Sequence, residues 1–369
     1  KEEVPSEFAV NITGDSTHDK AYSDAGIKAD GVYTFSKDTS INLTPSSDDY
    51  AGIEYGNWNY SNDYDALVVN VKDGSTLSVN VKGTNPGYSL SRGVAGIDLE
   101  TYGKRIQING DTSFNVTNTD KAGKAYGIVV SNDSDNSIIG KGSMDITTSG
   151  AGLSHGIDFT SNKNSVRLDG KSGGHITIKT NADGADSLAV NAAKNKVSVN
   201  INYDQDTGAA VYDNETVKID GDIYAVQTTR IGNASDDPLS NGTVNVGLTG
   251  KDSYLNGVIG YRADKTYKTE YGETYGTDFD PGTVNLVMTD GAVWKNGQYA
   301  KHTGKAWTQW AGSAVNTLKA DGAYIYQDDS NPITVKNYGG NATVVYRHTV
   351  KEDSSRDNAA IYGNKAVSV

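Results

Sequence analysis

The sequence predicts an all-β solenoid, a right-handed parallel β-helix of three-strand coils with about 30 residues per coil. Three observations predict it. A short apolar strand that follows Gly or another small residue recurs at a nearly constant interval. Corner residues that accept turns (Gly, Asn, Asp, Ser) punctuate the whole chain, whereas Pro is scarce at 6 of 369 residues. No 3.6-residue apolar period survives beyond a few residues, so helices have no signal.

The recurrence is clearest in GIDLE (96), GIVVS (127), GIDFT (156), SLAVN (187) and AAVYD (209). Ile97, Ile128, Ile157 and Leu188 are spaced by 31, 29 and 31 residues, and the step to Val211 is 23. A second strand follows each: KRIQING, NSIIGKG, NSVRLDG, NKVSVNI and TVKIDGD. A third follows in several: SFNVTNT, SMDITTS, GHITIKT and IYAVQTT. In GVAGIDLETYGKRIQING, Gly96 and Gly110 turn corners, and Ile97, Ile106 and Ile108 form the inward row. One such coil cannot bury its own apolar side chains, so its neighbours must. A propeller would need a longer repeat with a Trp-Asp or Gly-His signature, which is missing. About 12 coils at ~4.8 Å each make a rod roughly 55–60 Å long.

Residues 1–50 are read as an N-terminal cap with the first coils, 51–282 as the coil body and 283–369 as C-terminal coils. The period breaks twice. From Ile53 to Ile97 the step is 44, with the extra length placed at Tyr55–Asp65, which holds Tyr55, Trp58, Tyr60 and Tyr64 among Asn and Asp. The second break is 254–282, with Tyr254, Tyr261, Tyr267, Tyr271 and Tyr275. Ordinary loops would account for both. Aromatic rings interleaved with Asn and Asp also suit stacking on sugars, and Tyr-rich extensions suit protein contact, so these nine residues are the candidate ligand-binding set.

The formal net charge of −13 excludes a nucleic-acid surface, which needs basic residues. The chain has no Cys, which fits a protein that crosses a periplasm unfolded. No apolar run reaches membrane-span length, and KEEVPSEFAV has no signal-peptide core.

Chemistry finds little support. Gly14-Asp15-Ser16 is followed by Thr17, so the second glycine of a serine-protease nucleophile loop is missing. Asp98 and Asp158 occupy one strand position two coils apart, but Val129 stands between them, so no continuous acidic stripe forms. With Asp169 and Asp220 they read as solvated turn aspartates. The five His (18, 155, 175, 302, 348) lack metal-ligand spacing, and His155 reads as a lone surface residue at a corner. No catalytic residue, cofactor or metal is expected.

The C-terminal part carries a resemblance. TVNLVMTDGAVWKNG leads to TGKAWTQW and then SAVNTLKADGAYIYQDDSNPITVKNYGGNATVVYRHTV. Gly291, Ala292 and Trp294, then Ser313, Val315, Leu318 and Gly322, then Val335, Gly339, Gly340 and Val344–Val345 resemble the C-terminal stretch of bacterial autotransporter (type V secretion) passenger domains. Over 51–250 the likeness is one of style. The resemblance implies an autochaperone-like region over 283–350 that nucleates folding. It also implies display on a Gram-negative cell surface, secretion, and a barrel in the outer membrane beyond a linker helix. The chain stops at Val369 with neither, so it reads as a passenger cut from a longer precursor. The expected function is a non-enzymatic adhesin or self-association protein in aggregation, biofilm or virulence. Its partners would be a host or bacterial glycan or protein, or another passenger. The alternative is a polysaccharide-active β-helix enzyme, a lyase or glycoside hydrolase.

Overall fold

The computed structural model describes residues 2–3, 9–14, 26–28, 31–45, 50–56, 65–84, 93–132, 135–181, 186–225, 242–262, 266–268, 274–276, 283–300, 310–328, 331–347 and 365–368. The protein is all-β, with mostly parallel strands and no helix among the described residues. The strands fall into three ladders that the chain visits in rotation.

The first ladder stacks Tyr50–Gly56, Val94–Glu100, Lys124–Ser131, Leu153–Phe159, Ser187–Asn191, Asp222–Tyr224 and Ile259–Arg262 in parallel. The second runs from Gly31–Phe35 through Ala66–Val71, Arg105–Asn109, Ser137–Lys141, Ser165–Gly170, Ser198–Ile201 and Thr243–Thr249 to Thr283–Thr289. The long strand Trp310–Asp321 continues it and also pairs antiparallel with Ile259–Arg262, which joins the first two ladders into one sheet. The third ladder forms a separate sheet from Ala9–Gly14 to Ala342–Arg347, closed by the antiparallel strand Lys365–Ser368.

Register puts like on like. Ile53, Ile97, Ile128 and Ile157 are direct partners down the first ladder, and Val79, Phe114, Ile146, Ile178, Ile219, Leu255, Trp294 and Ile325 down the third. Alternate residues of a strand share a face, so one apolar row per strand is enough to fill the space between sheets. Ile97, Ile106 and Ile108 are fully buried in this core, as expected. Trp294 is its largest fully buried side chain, and its indole N–H donates to the Gly257 carbonyl at 2.9 Å.

Polar residues stack as well. Asn245 donates to Asn200, Asn285 to Asn245, and Asn316 to Asn285, at 2.8, 2.8 and 3.0 Å. Asn245 and Asn285 each donate to one neighbour and accept from the other, so four Asn side chains form one continuous hydrogen-bonded column.

The sequence reading of the repeat needs four corrections. Ile157 pairs with Val190, and Leu188 pairs with His155. AAVYD is no strand: Val211 is 36% exposed, and Ile223 takes the next place in the first ladder. TVKID belongs to the third ladder and Asp222–Tyr224 to the first. The long step from Ile53 to Ile97 is one step of the stack. Its extra length is shared between two connections, 57–64 and 85–92, both outside the described residues.

Candidate functional site

The recurrent glycine of the first ladder creates an outer face that the sequence did not announce. A Cβ on Gly96 would point at Phe114, and one on Gly127 at Ile146, both third-ladder core residues. The glycine position therefore faces inward from mid-strand, so Gly96 turns no corner, and the buried Ile97 or Ile128 that follows it faces inward too. Two successive inward positions break the alternation. Residues on both flanks then fall on the outer side: Ala51, Ala95, Tyr126 and Val129 form an apolar cluster separate from the main core.

His155 stands in register with Tyr126, and Asp158 with Val129. His155 is buried, not a surface residue, and Asp158 is a buried strand residue, not a solvated turn aspartate. The imidazole lies between two carboxylates, with Nδ1 3.2 Å from Asp158 Oδ1 and Nε2 3.3 Å from Asp186 Oδ1. Asn191 donates to Asp158 Oδ1 at 2.6 Å. The Tyr126 ring meets the imidazole edge-on, with centroids 6.0 Å apart. Beside Tyr126, a depression lined by Ala95, Asp98, Val129, Ser131 and Thr160 has room for about one water.

Burial alone would lower the His155 pKa, but the facing carboxylates of Asp158 and Asp186, acceptors for the ring N–H groups, outweigh it and raise the value to about 9. The ring is an imidazolium at neutral pH. It bonds Asp158 through Nδ1, lies at ion-pair distance from Asp186, and is not a free base. Burial, with the charges of Asp158, Asp186 and Asp98, pushes the Tyr126 phenol well up, so it stays a neutral donor. Among the described residues no group of three or more His, Cys, Asp or Glu is placed to hold a metal ion. Asp98 does share its register position with Val129 and Asp158. Asp169 pairs with Arg167 Nε at 3.1 Å. One signal for the cluster was legible, the three-residue step from His155 to Asp158. The burial of both depends on the glycine-induced break and was not.

The candidate ligand-binding residues scatter. Tyr55 is in the core at 1% exposure and offers no ring face to solvent. Trp58, Tyr60, Tyr64 and Tyr271 lie outside the described residues. Tyr254 is half-buried on the third ladder and donates its hydroxyl to Asp220 Oδ2 at 2.7 Å, while Asn256 holds the other oxygen at 3.0 Å. Burial and Asp220 push the Tyr254 phenol up. Tyr261 lies in the strand Ile259–Arg262 of the first ladder. Tyr267 and Tyr275 are register partners in a two-stranded antiparallel sheet, Thr266–Lys268 with Thr274–Gly276. This hairpin enters between a first-ladder and a second-ladder strand, as do residues 57–64. Both interruptions thus hold the same place in the strand order.

A second buried carboxyl serves the scaffold. Glu215 Oε2 accepts from the Lys171 backbone N–H at 3.1 Å, and neighbouring Asn214 Oδ1 accepts from that of Gly173 at 3.0 Å, tying down the turn of the preceding cycle. Glu215 Oε1 is buried without a hydrogen-bond partner among the described residues. Burial raises this carboxyl to about 7, against the opposing pull of the Lys171 and Gly174 N–H groups and of His175 and Lys171. A carboxyl raised from 4.5 contributes stability below that value and loses it as pH rises through about 7. Glu215→Gln is therefore expected to move the urea midpoint upward relative to wild type at pH 8 and to flatten the decline between pH 5 and 8. A parallel pH profile in both proteins would refute this.

No family model, no curated relative and no solved structure matches this chain.

Proposed function

We propose that the chain is a right-handed parallel β-helix displayed on a Gram-negative cell as an autotransporter passenger. It acts there without catalysis, as an adhesin or self-associating protein. The observation that carries the reading is the rotation through three parallel ladders in register, which is the connectivity of a stack of three-strand coils. The acidic charge, the lack of Cys and the C-terminal resemblance over 283–350 fit surface display. The mechanism is side-on contact, in which many weak contacts along a rod add through multivalency. In this reading the ligand sites are the parts of the two interruptions that fall in sequence between a first-ladder and a second-ladder strand, 57–64 of Tyr55–Asp65 and 263–282 of 254–282.

The test displays the chain on cells and deletes 57–64 and 263–282 separately and together. Clumping or binding to host cells should fall in the double deletion while the urea midpoint stays. Unchanged binding would overturn the site assignment. Incubation with pectin or alginate that yields new reducing ends or unsaturated products would overturn the non-enzymatic reading.

A further inference from the structure

The outward face of the third ladder changes character along the stack. Two outward columns run down it. One passes through Ser78, Ser113, Asp145, Thr177 and Lys218, the other through Asn80, Asn115, Thr147, Lys179 and Asp220. Every side chain in those ten positions is polar or charged. From Tyr254 onward aromatic and aliphatic side chains enter among the polar ones: one column continues through Tyr254, Val293, Tyr324 and Thr343, the other through Asn256, Lys295, Tyr326 and Val345.

Tyr324 and Tyr326 alternate with the buried Ala323 and Ile325 and are 43% and 44% exposed. Two rings on one strand face are about 6.7 Å apart along the strand, and their neighbours in the next strands are about 4.8 Å away. Val293, Thr343 and Val345 are half-buried around them, and Lys295, in register with Tyr326, is exposed.

We propose that this face is an oligosaccharide-binding surface. The rings of Tyr324 and Tyr326 would stack on sugar rings, and Lys295 would be placed for the carboxylate of an acidic sugar unit. Size argues for this occupant. At the observed exposures the two rings offer about 200 Å², far below the roughly 800 Å² per partner of a stable protein interface. A few sugar units need no more. Chemistry argues the same way, because Thr343, Asn256 and Lys295 set hydroxyl, amide and ammonium groups between the apolar ones. The ammonium in this patch contrasts with a net charge of −13 over the chain and favours an anionic ligand there. The inference stands on the third ladder alone and does not depend on surface display.

The experiment titrates the full chain with a galacturonate hexamer and with cellohexaose, by calorimetry, beside the variants Tyr324→Ala/Tyr326→Ala, Lys295→Ala and Tyr102→Ala. Tyr102 is 62% exposed elsewhere and serves as the control. The expected result is binding of the galacturonate hexamer, weakened about tenfold or more in the double variant. Lys295→Ala should weaken the acidic hexamer more than the neutral one, and Tyr102→Ala should change nothing. Tyr324→Phe/Tyr326→Phe should keep binding, because the ring face remains. The proposal is overturned if neither hexamer binds, if the double Ala variant binds as wild type, or if that variant instead abolishes a concentration-dependent dimer. Loss of hexamer binding with cell adhesion intact supports it and locates adhesion elsewhere on the chain.

Discussion

Gly127→Val is expected to lower the stability of the fold by roughly 3 kcal/mol or more, and Gly127→Ala by about 1–3 kcal/mol. A Cβ at Gly127 would sit 2.3 Å from Ile146 Cγ2 and 2.5 Å from the Gly156 carbonyl oxygen. The first clash is with a packed core side chain. The second is with the backbone of the next first-ladder strand, which stacking holds in place. The same crowding repeats along the ladder: Gly52 meets Val79 and Gly96, and Gly156 meets Ile178 and Ala189. None of these glycines is retained for a positive φ. They are retained for space, because this strand approaches the third ladder too closely for any side chain. One position shows how the rule can be relaxed. Ala189 occupies the same place after Gly156, where pairing slips between Leu188 and Val190. Room for its methyl comes from Gly221, whose own Cβ would lie 2.8 Å from it. The measurement is the urea midpoint of Gly127→Ala and Gly127→Val against Gly297→Ala, where a Cβ would meet nothing within 4 Å. Gly297→Ala should stay within about 0.5 kcal/mol of wild type. Equal midpoints for all the variants would refute the spacing argument.

The Gly-Ile signature that made the repeat legible in the sequence is thus the trace of this contact. The signature was readable because glycine and isoleucine recur together, as at Gly96-Ile97, Gly127-Ile128 and Gly156-Ile157. It fails at Leu188 and Val211, where the glycine is absent or displaced, and there the sequence reading chose the wrong partners. Strand type and inward rows followed from alternation alone, as with Ile106 and Ile108. Assignment of strands to ladders did not, because TVKID and TVNVGLT have the same local pattern in different ladders. The buried cluster at His155 was harder still. Its burial arises from a break in alternation, and its second carboxylate, Asp186, comes from the start of the next cycle, 31 residues on. The exposed tyrosines of the third ladder carry no signal of their own, because YIY also reads as ordinary strand, and only register with Val293 and Val345 sets it in a patch.

His155 is expected to make the fold weaken as the solution becomes alkaline. Its pKa in the folded protein is about 9, against 6.5 for the free side chain. A group whose pKa is raised by folding contributes its full stabilisation below the lower value and loses it as pH rises through the higher one. The window is therefore about pH 6.5 to 9, and the full contribution is about 3 kcal/mol. His155→Gln keeps a planar polar side chain and removes the charge. It leaves the buried Asp158 carboxylate without its cation, while Asp186, whose side chain is one-third exposed, is partly relieved by water. Unfolding in urea should show a wild-type advantage of roughly 2–3 kcal/mol at pH 6, shrinking steadily to little above pH 9. Glu215 also weakens the fold on alkalisation, but it is common to both proteins and cancels in their difference. The difference curve thus reports the imidazolium together with the two carboxylates that face it. A difference that stays constant from pH 6 to pH 10 would mean that the ring contributes only packing against Tyr126, and that its two carboxylates do not hold it charged.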